Sequence, residues 1–252
     1  KVAKECEVDA VKFQSKDVDS MPKELRDKPY EHENSFGKTY REHKEFLELS
    51  SEELKELKNY SEKLGLIFFS TPFDIKSADM LEKLGQEIYK ISSFHLNDIE
   101  LIEHVCSFKK PIIISTGMST IEEITKSVNL LKKNKANFIL LQCTSSYPCD
   151  PKDINLKVLE YYRKKFDCLI GYSGHETTAN IAPSTVLLGS CCIERHFTLD
   201  RSMKGPDHAS SLEPDGMRIL VKRSKLLFEA MGNPQKQVLS SELKNRKKFR
   251  GY

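Results

Sequence analysis

The stretch CCIERHFTLDRSMKGPDHASSLEP, residues 191–214, starts as a buried strand and ends as a charged loop. Cys191, Cys192 and Ile193 lead directly into Glu194, Arg195 and His196. Side chains alternate along a strand, so Cys192, Glu194 and His196 share one face. The loop beyond carries Asp200, Arg201, Lys204, Asp207 and His208. In α/β barrels, catalytic residues stand at the C-terminal ends of many strands, whereas open α/β sheets gather their ligand at one switch point. A strand that delivers charged and ligating groups at its end therefore favours a barrel if other strands do the same.

They do. DAVKFQ (9–14), LIFFSTP (66–72), EIYKISS (87–93), PIIISTG (111–117), NFILLQCT (137–144) and CLIGYSGH (168–175) are short apolar or β-branched runs, and nearly all end in polar residues. Amphipathic segments separate them. SSEELKELKNYSEKLG (50–65) sets Leu54, Leu57 and Leu64 at helical spacing, opens on Ser-x-x-Glu and closes on Gly. STIEEITKSVNLLKKN (119–134) and KDINLKVLEYYRKKF (152–166) read as helices in the same way. Such alternation predicts a parallel sheet with crossover helices. No G-x-G-x-x-G follows the first run, which weighs against a dinucleotide-binding open sheet. The expected fold is α/β, a (β/α)8 TIM barrel. Seven runs are one strand short, and KVAKECEVDA reads as the C-terminal half of a helix, so the first strand is expected before Lys1 and is lacking in this chain. Residues 1–239 are assigned to the barrel and 240–252 to a linker. The polar stretch 17–44, punctuated by Pro22, Pro29 and Gly37, reads as one long loop, a lid or an insertion.

The chain of 252 residues is 38% hydrophobic, enough for one large core. Forty basic residues stand against 37 acidic ones, and a net charge of +3 points to neither nucleic acid nor membrane as partner. KNRKKFR (244–250) reads as a solvated tail. No apolar run approaches the ~20 residues a membrane span needs. Seven cysteines, an odd number without a C-x-x-C, suit buried thiols in a reducing cytoplasm. No zinc-finger spacing occurs, so any metal must be held by residues distant in sequence.

Read together, the strand ends describe a site. Lys12 and Gln14 share one face of the first run, and an inward lysine is costly unless it meets an anion. Lys90 repeats the pattern and Ser93 follows it, while Ser115 and Thr116 end another run with a helix expected just beyond Gly117. Each alone is more simply a solvated strand end; together they form a cup for a small polyanion. His175 and His196 end two runs expected to be neighbours. As a pair they suit Mn, Zn or Fe better than Mg and leave coordination positions open, the alternative being two structural histidines. Asp207, in the Gly205-Pro206-Asp207 turn, is either an Asx turn or a carboxylate acting near the metal. His32, His43, His95, His104 and His208 lack such placement.

KFQ (12–14), YKISS (89–93), PIIISTGMST (111–120), QCTSSYP (142–148), GYSGHE (171–176) and ERHFTLDRSMKGPDHASSLEP (194–214), in this order, closely resemble the sialic acid synthase family. The resemblance runs from Lys1 to about Leu239. GKTYREHK (37–44) is similar to the eukaryotic branch, which uses N-acetylmannosamine 6-phosphate, and FFSTPFD (68–74) to bacterial synthases of related nonulosonic acids. The resemblance implies a TIM barrel joined to a C-terminal antifreeze-like domain in a homodimer. It implies a cytoplasmic transferase that condenses phosphoenolpyruvate with an N-acetylhexosamine to a sialic acid and phosphate. The related alternatives are a synthase of pseudaminic or legionaminic type and a non-catalytic binding barrel. By position, Lys12, Lys90, Ser93, Ser115 and Ser173 match the family's phosphoenolpyruvate ligands, and Lys12, Lys90 and Asp207 are assigned catalytic roles. His175 and His196 match ligands of a divalent metal, usually Mn2+, and Gln14, Tyr147 and Asp207 match sugar contacts. Two positions depart from the pattern: His95 stands where the family usually has an acidic residue, and Phe94 where sialic acid synthases tend to have Gly.

Overall fold

All seven expected strands form in the computed structural model, which describes residues 1–252. β1 (Ala10–Ser15) and β2 (Ile67–Pro72) make one parallel ladder. β3 (Tyr89–Ile91), β4 (Ile112–Ser115), β5 (Phe138–Cys143), β6 (Leu169–Gly174) and β7 (Ile193–Arg195) make a second, parallel throughout and in sequence order. The architecture is an α/β parallel half-barrel. The helices are α1 (Val2–Glu5), α2 (Lys23–Arg26), α3 (Tyr40–Leu47), α4 (Ser51–Lys63), α5 (Ile75–Lys83), α6 (Ile99–Ser107), α7 (Ile121–Lys133), α8 (Lys157–Phe166), α9 (Pro214–Met231) and α10 (Leu243–Arg250).

The core lies between helices and strands, as crossover connections require. Leu54, Leu81, Ile102, Leu131 and Leu159 from α4 to α8 pack against Ile91, Ile112, Ile114, Leu140 and Ile170 from the strands. Helix starts follow local chemistry. Ser50 and Glu53 form a reciprocal capping box on α4, and Thr120 and Glu123 another on α7.

Three expectations need correction. Residues 17–44 are not one loop: α2 and α3 lie within and beyond them, and Thr39 with Glu42 caps α3 reciprocally. The buried residue of α3 is His43, set among Tyr30, Phe36 and Tyr40, so the helix carries no aliphatic stripe to reveal it. The helix expected over 152–166 begins only at Lys157. Pro151–Asp153 form a 3-10 turn and Asn155 takes a left-handed backbone at φ 53°, which no helix accommodates. Finally, α7 begins at Ile121, not directly beyond Gly117.

No backbone ladder joins β2 to β3, and a side chain supplies the missing bonds. Ser70 N donates to Gln86 Oε1 at 2.7 Å, and Gln86 Nε2 donates to Ser70 O at 2.9 Å. Gln86 is buried, so its amide does what a neighbouring strand's peptide does elsewhere. Replacing Gln86 with Leu strands a buried N–H and a buried C=O at once. The expected loss of stability in urea unfolding is roughly 2–5 kcal/mol. A loss under about 0.5 kcal/mol, the range of an ordinary surface change, contradicts this role.

Candidate active site

Side chains from three strands converge on the carboxylate of a fourth. Glu194 of β7 has Lys12 Nζ of β1 at 3.9 Å from Oε1 and Lys90 Nζ of β3 at 4.0 Å from Oε2. Ser173 of β6, its partner in the ladder, donates to Oε1 at 3.3 Å. Lys90, whose side chain is 3% exposed, also donates to Ser115 Oγ of β4 at 2.7 Å and to Ile91 O at 3.0 Å. Both lysines approach Glu194 without closing to hydrogen-bond distance, so their remaining N–H groups are available to a ligand.

The electrostatics follow from this arrangement. Burial alone pushes the Glu194 carboxyl upward, but Lys12, Lys90 and His196, with the Ser173 hydroxyl, outweigh it and hold it at about 2. Burial likewise pushes the Lys90 ammonium below the usual lysine range, with Glu194 opposing that shift. The cup sets two lysine amines against one carboxylate.

The two histidines stand beside the cup. Gly174 ends β6 and pairs with Arg195, which ends β7, so His175 and His196 leave adjacent strands at the same height. Their ring centroids are 5.2 Å apart. His175 Nδ1 lies 2.9 Å from Thr144 O. A carbonyl can only accept, so Nδ1 carries the hydrogen and Nε2 is the nitrogen left for a ligand. Asp207 Oδ2 lies 3.6 Å from His196 Nδ1, and the Tyr147 ring packs 4.0 Å from the His175 ring and 6.0 Å from that of His196. Burial, against the opposing pull of Asp207, lowers His196 to about 4, so the ring is neutral at pH 7 and offers a lone pair. No third His, Cys, Asp or Glu completes a cluster of three ligating side chains. Two imidazoles with further positions open to water and substrate fit a borderline divalent metal.

The remaining expected residues divide. Ser93 Oγ accepts from Gly117 N at 2.9 Å, and Gly117 admits no Cβ, which would collide with Ser145 Oγ and press on Ser93 and Cys143. Gln14 is exposed at the end of β1. His95 Nδ1 is 2.9 Å from Ser92 Oγ, and its ring meets Phe73 edge-on at 4.9 Å. Thr116 does not line the cup: its hydroxyl donates to Leu141 O at 2.9 Å and accepts from Tyr162 at 3.1 Å. Glu194 itself was named on its strand face but not as a site residue. The signal lay in the two inward lysines, which need a counter-ion on that face.

Glu194 gives the metal-free protein a defined pH response. Its folded value, about 2, lies below the ordinary 4.5, so its stabilisation is complete above pH 4.5 and is lost as pH falls toward 2. Glu194→Gln lacks this contribution at every pH. The stability gap between the native chain and this variant should narrow by about 2 kcal/mol between pH 6 and pH 3, as read by urea unfolding. A gap independent of pH contradicts the charge hub.

Comparison with known proteins places this geometry. The NeuB family matches residues 1–236. The N-acetylneuraminate-9-phosphate synthase of Homo sapiens is 38% identical over 245 residues, 96% of this chain and 68% of that protein. The N,N'-diacetyllegionaminic acid synthase of Campylobacter jejuni is 36% identical over 249 residues, 97% of this chain and 75% of its own. The crystal structure of N-acetylneuraminic acid (sialic acid) synthetase from Leptospira borgpetersenii, in complex with citrate, matches with a TM-score of 0.85 at 30% identity. That match covers 100% of this chain and 85% of the other. Sequence and structure agree over nearly the whole chain, and the chain belongs to the NeuB family.

Proposed function

We propose that this chain condenses phosphoenolpyruvate with an N-acetylhexosamine, N-acetylmannosamine or its 6-phosphate, to give a sialic acid and phosphate. The observation that carries this reading is the pairing of a cationic cup, Lys12 and Lys90 around Glu194, with two facing imidazoles. Its nearest support is the kinship with synthases of N-acetylneuraminate 9-phosphate and N-acetylneuraminic acid.

On this reading Lys12 and Lys90, with the hydroxyls of Ser93, Ser115 and Ser173, hold the phosphate and carboxylate of phosphoenolpyruvate. His175 and His196 would hold a divalent metal, Mn2+ on this reading, which when bound would polarise the aldehyde of the open-chain sugar. Gln14 and Tyr147 orient the sugar so that its aldehyde carbon faces the enol carbon of phosphoenolpyruvate. A C–C bond forms between them, and the aldehyde oxygen takes up a proton relayed by Asp207. The cation that develops at C2 lies beside the ionised Glu194. Water adds at C2 and returns one proton to Asp207; the new C2 hydroxyl then passes its proton to the phosphate as the C–O bond breaks, and the lysines retain the leaving group. The β7 and β1 edges close on an eighth strand to complete a (β/α)8 barrel, and the full enzyme works as a cytoplasmic homodimer with an antifreeze-like domain following the 240–252 linker.

A second reading, synthesis of a legionaminic-type acid, draws on 36% identity to the Campylobacter jejuni synthase and on His95 standing where the family usually has an acidic residue. Phosphate release measured with each sugar in turn separates the two.

Calorimetric titration with phosphoenolpyruvate tests the cup. Saturable binding is expected, weakened at least about tenfold by Lys90→Ala, the loss typical of a hydrogen bond to a charged group. Unchanged affinity in a folded Lys90→Ala chain removes Lys90 from the site. For the metal, His196→Ala should abolish Mn2+-dependent phosphate release; retained release with normal Mn2+ affinity contradicts the ligand assignment.

A further inference from the structure

Each histidine of the candidate metal pair has a charged neighbour in sequence: His175 precedes Glu176, and Arg195 precedes His196. These neighbours form an ion pair sealed from solvent. Arg195 Nη1 lies 3.0 Å from Glu176 Oε1, and both side chains are 1% exposed. The Tyr172 hydroxyl donates to Glu176 Oε2 at 2.8 Å. Arg195 also donates to Thr178 O at 3.2 Å and to the carbonyl of Glu176 itself. Gly174 is the precondition: a Cβ there would collide with the Glu176 carboxylate and the Tyr172 ring.

Such a pair is a poor source of stability, because desolvating two charges offsets most of their attraction. Its geometric consequences are stronger. A planar guanidinium bound to a carboxylate and two carbonyls fixes several points of the chain that follows His175, and it does so from the residue that precedes His196. The histidine Cα positions are thus clamped from one side, while Thr144 O holds the His175 ring and Cys149 N holds the His175 carbonyl at 3.1 Å. We infer that Glu176 and Arg195 are positioning residues that set the separation and tilt of the two imidazoles, and through them the affinity for a divalent metal. The inference rests on the proposed metal-binding reading of His175 and His196.

The test uses the whole 252-residue chain, stripped of metal and titrated with Mn2+ while the free ion is followed by electron paramagnetic resonance. The double variant Glu176→Leu with Arg195→Met removes both charges and keeps an apolar filling, which often leaves stability unchanged or raised. Its unfolding midpoint should match or exceed that of the native chain, its Mn2+ affinity should fall about 10- to 100-fold, and its affinity for phosphoenolpyruvate should be unaltered. In the metal-free state the imidazole 15N signals of His175 and His196 should shift. Native Mn2+ affinity with unshifted signals overturns the inference. If the native chain takes up no Mn2+, the metal reading fails on its own, and the imidazole signals alone decide whether the pair positions the rings. If the double variant does not fold, Tyr172→Phe removes one bond to Glu176 and leaves the pair; a smaller loss of Mn2+ affinity supports the inference, and no loss overturns it.

Discussion

The carboxylate of Glu194, held between two lysines at 3.9 and 4.0 Å, is the constraint on which the rest of the site depends. A buried Lys90 without a nearby negative charge would bear the full penalty that burial puts on the ammonium, which Glu194 opposes. A carboxylate in full contact with both lysines would instead saturate them and close the cup. The observed separation avoids both outcomes. Glu194 stays ionised, and neither lysine closes on it to hydrogen-bond distance.

The strands deliver this arrangement because their register is shared. Ser173 pairs with Glu194 and Gly174 with Arg195, so the ladder that puts a hydroxyl on the carboxylate also sets two imidazoles at one height. Cup and imidazole pair are therefore a single consequence of the β6–β7 pairing.

Much of this was legible in the sequence. The strands read as short apolar or β-branched runs, so all seven were found. Lys90 was legible because an inward lysine among Tyr89, Ile91 and Ile88 demands an anion, and His175 and His196 because both end such runs. What stayed hidden depends on contacts distant in sequence. The Thr116 hydroxyl is consumed by β5 and α8, and Gln86 completes a seam between strands that periodicity does not describe. The start of α8 depends on one left-handed residue, Asn155, that the pattern of apolar positions does not mark. Glu194 had the residue type and the face, but its role as counter-ion required knowing that β1 and β3 bring their lysines to β7.

A crystal structure of the chain soaked with phosphoenolpyruvate tests the central claim most directly. The account predicts the phosphate within about 3.2 Å of both Lys12 Nζ and Lys90 Nζ, with Glu194 left in place between them. Phosphoenolpyruvate bound elsewhere, or a cup closed by direct contact of both lysines with Glu194, would contradict it.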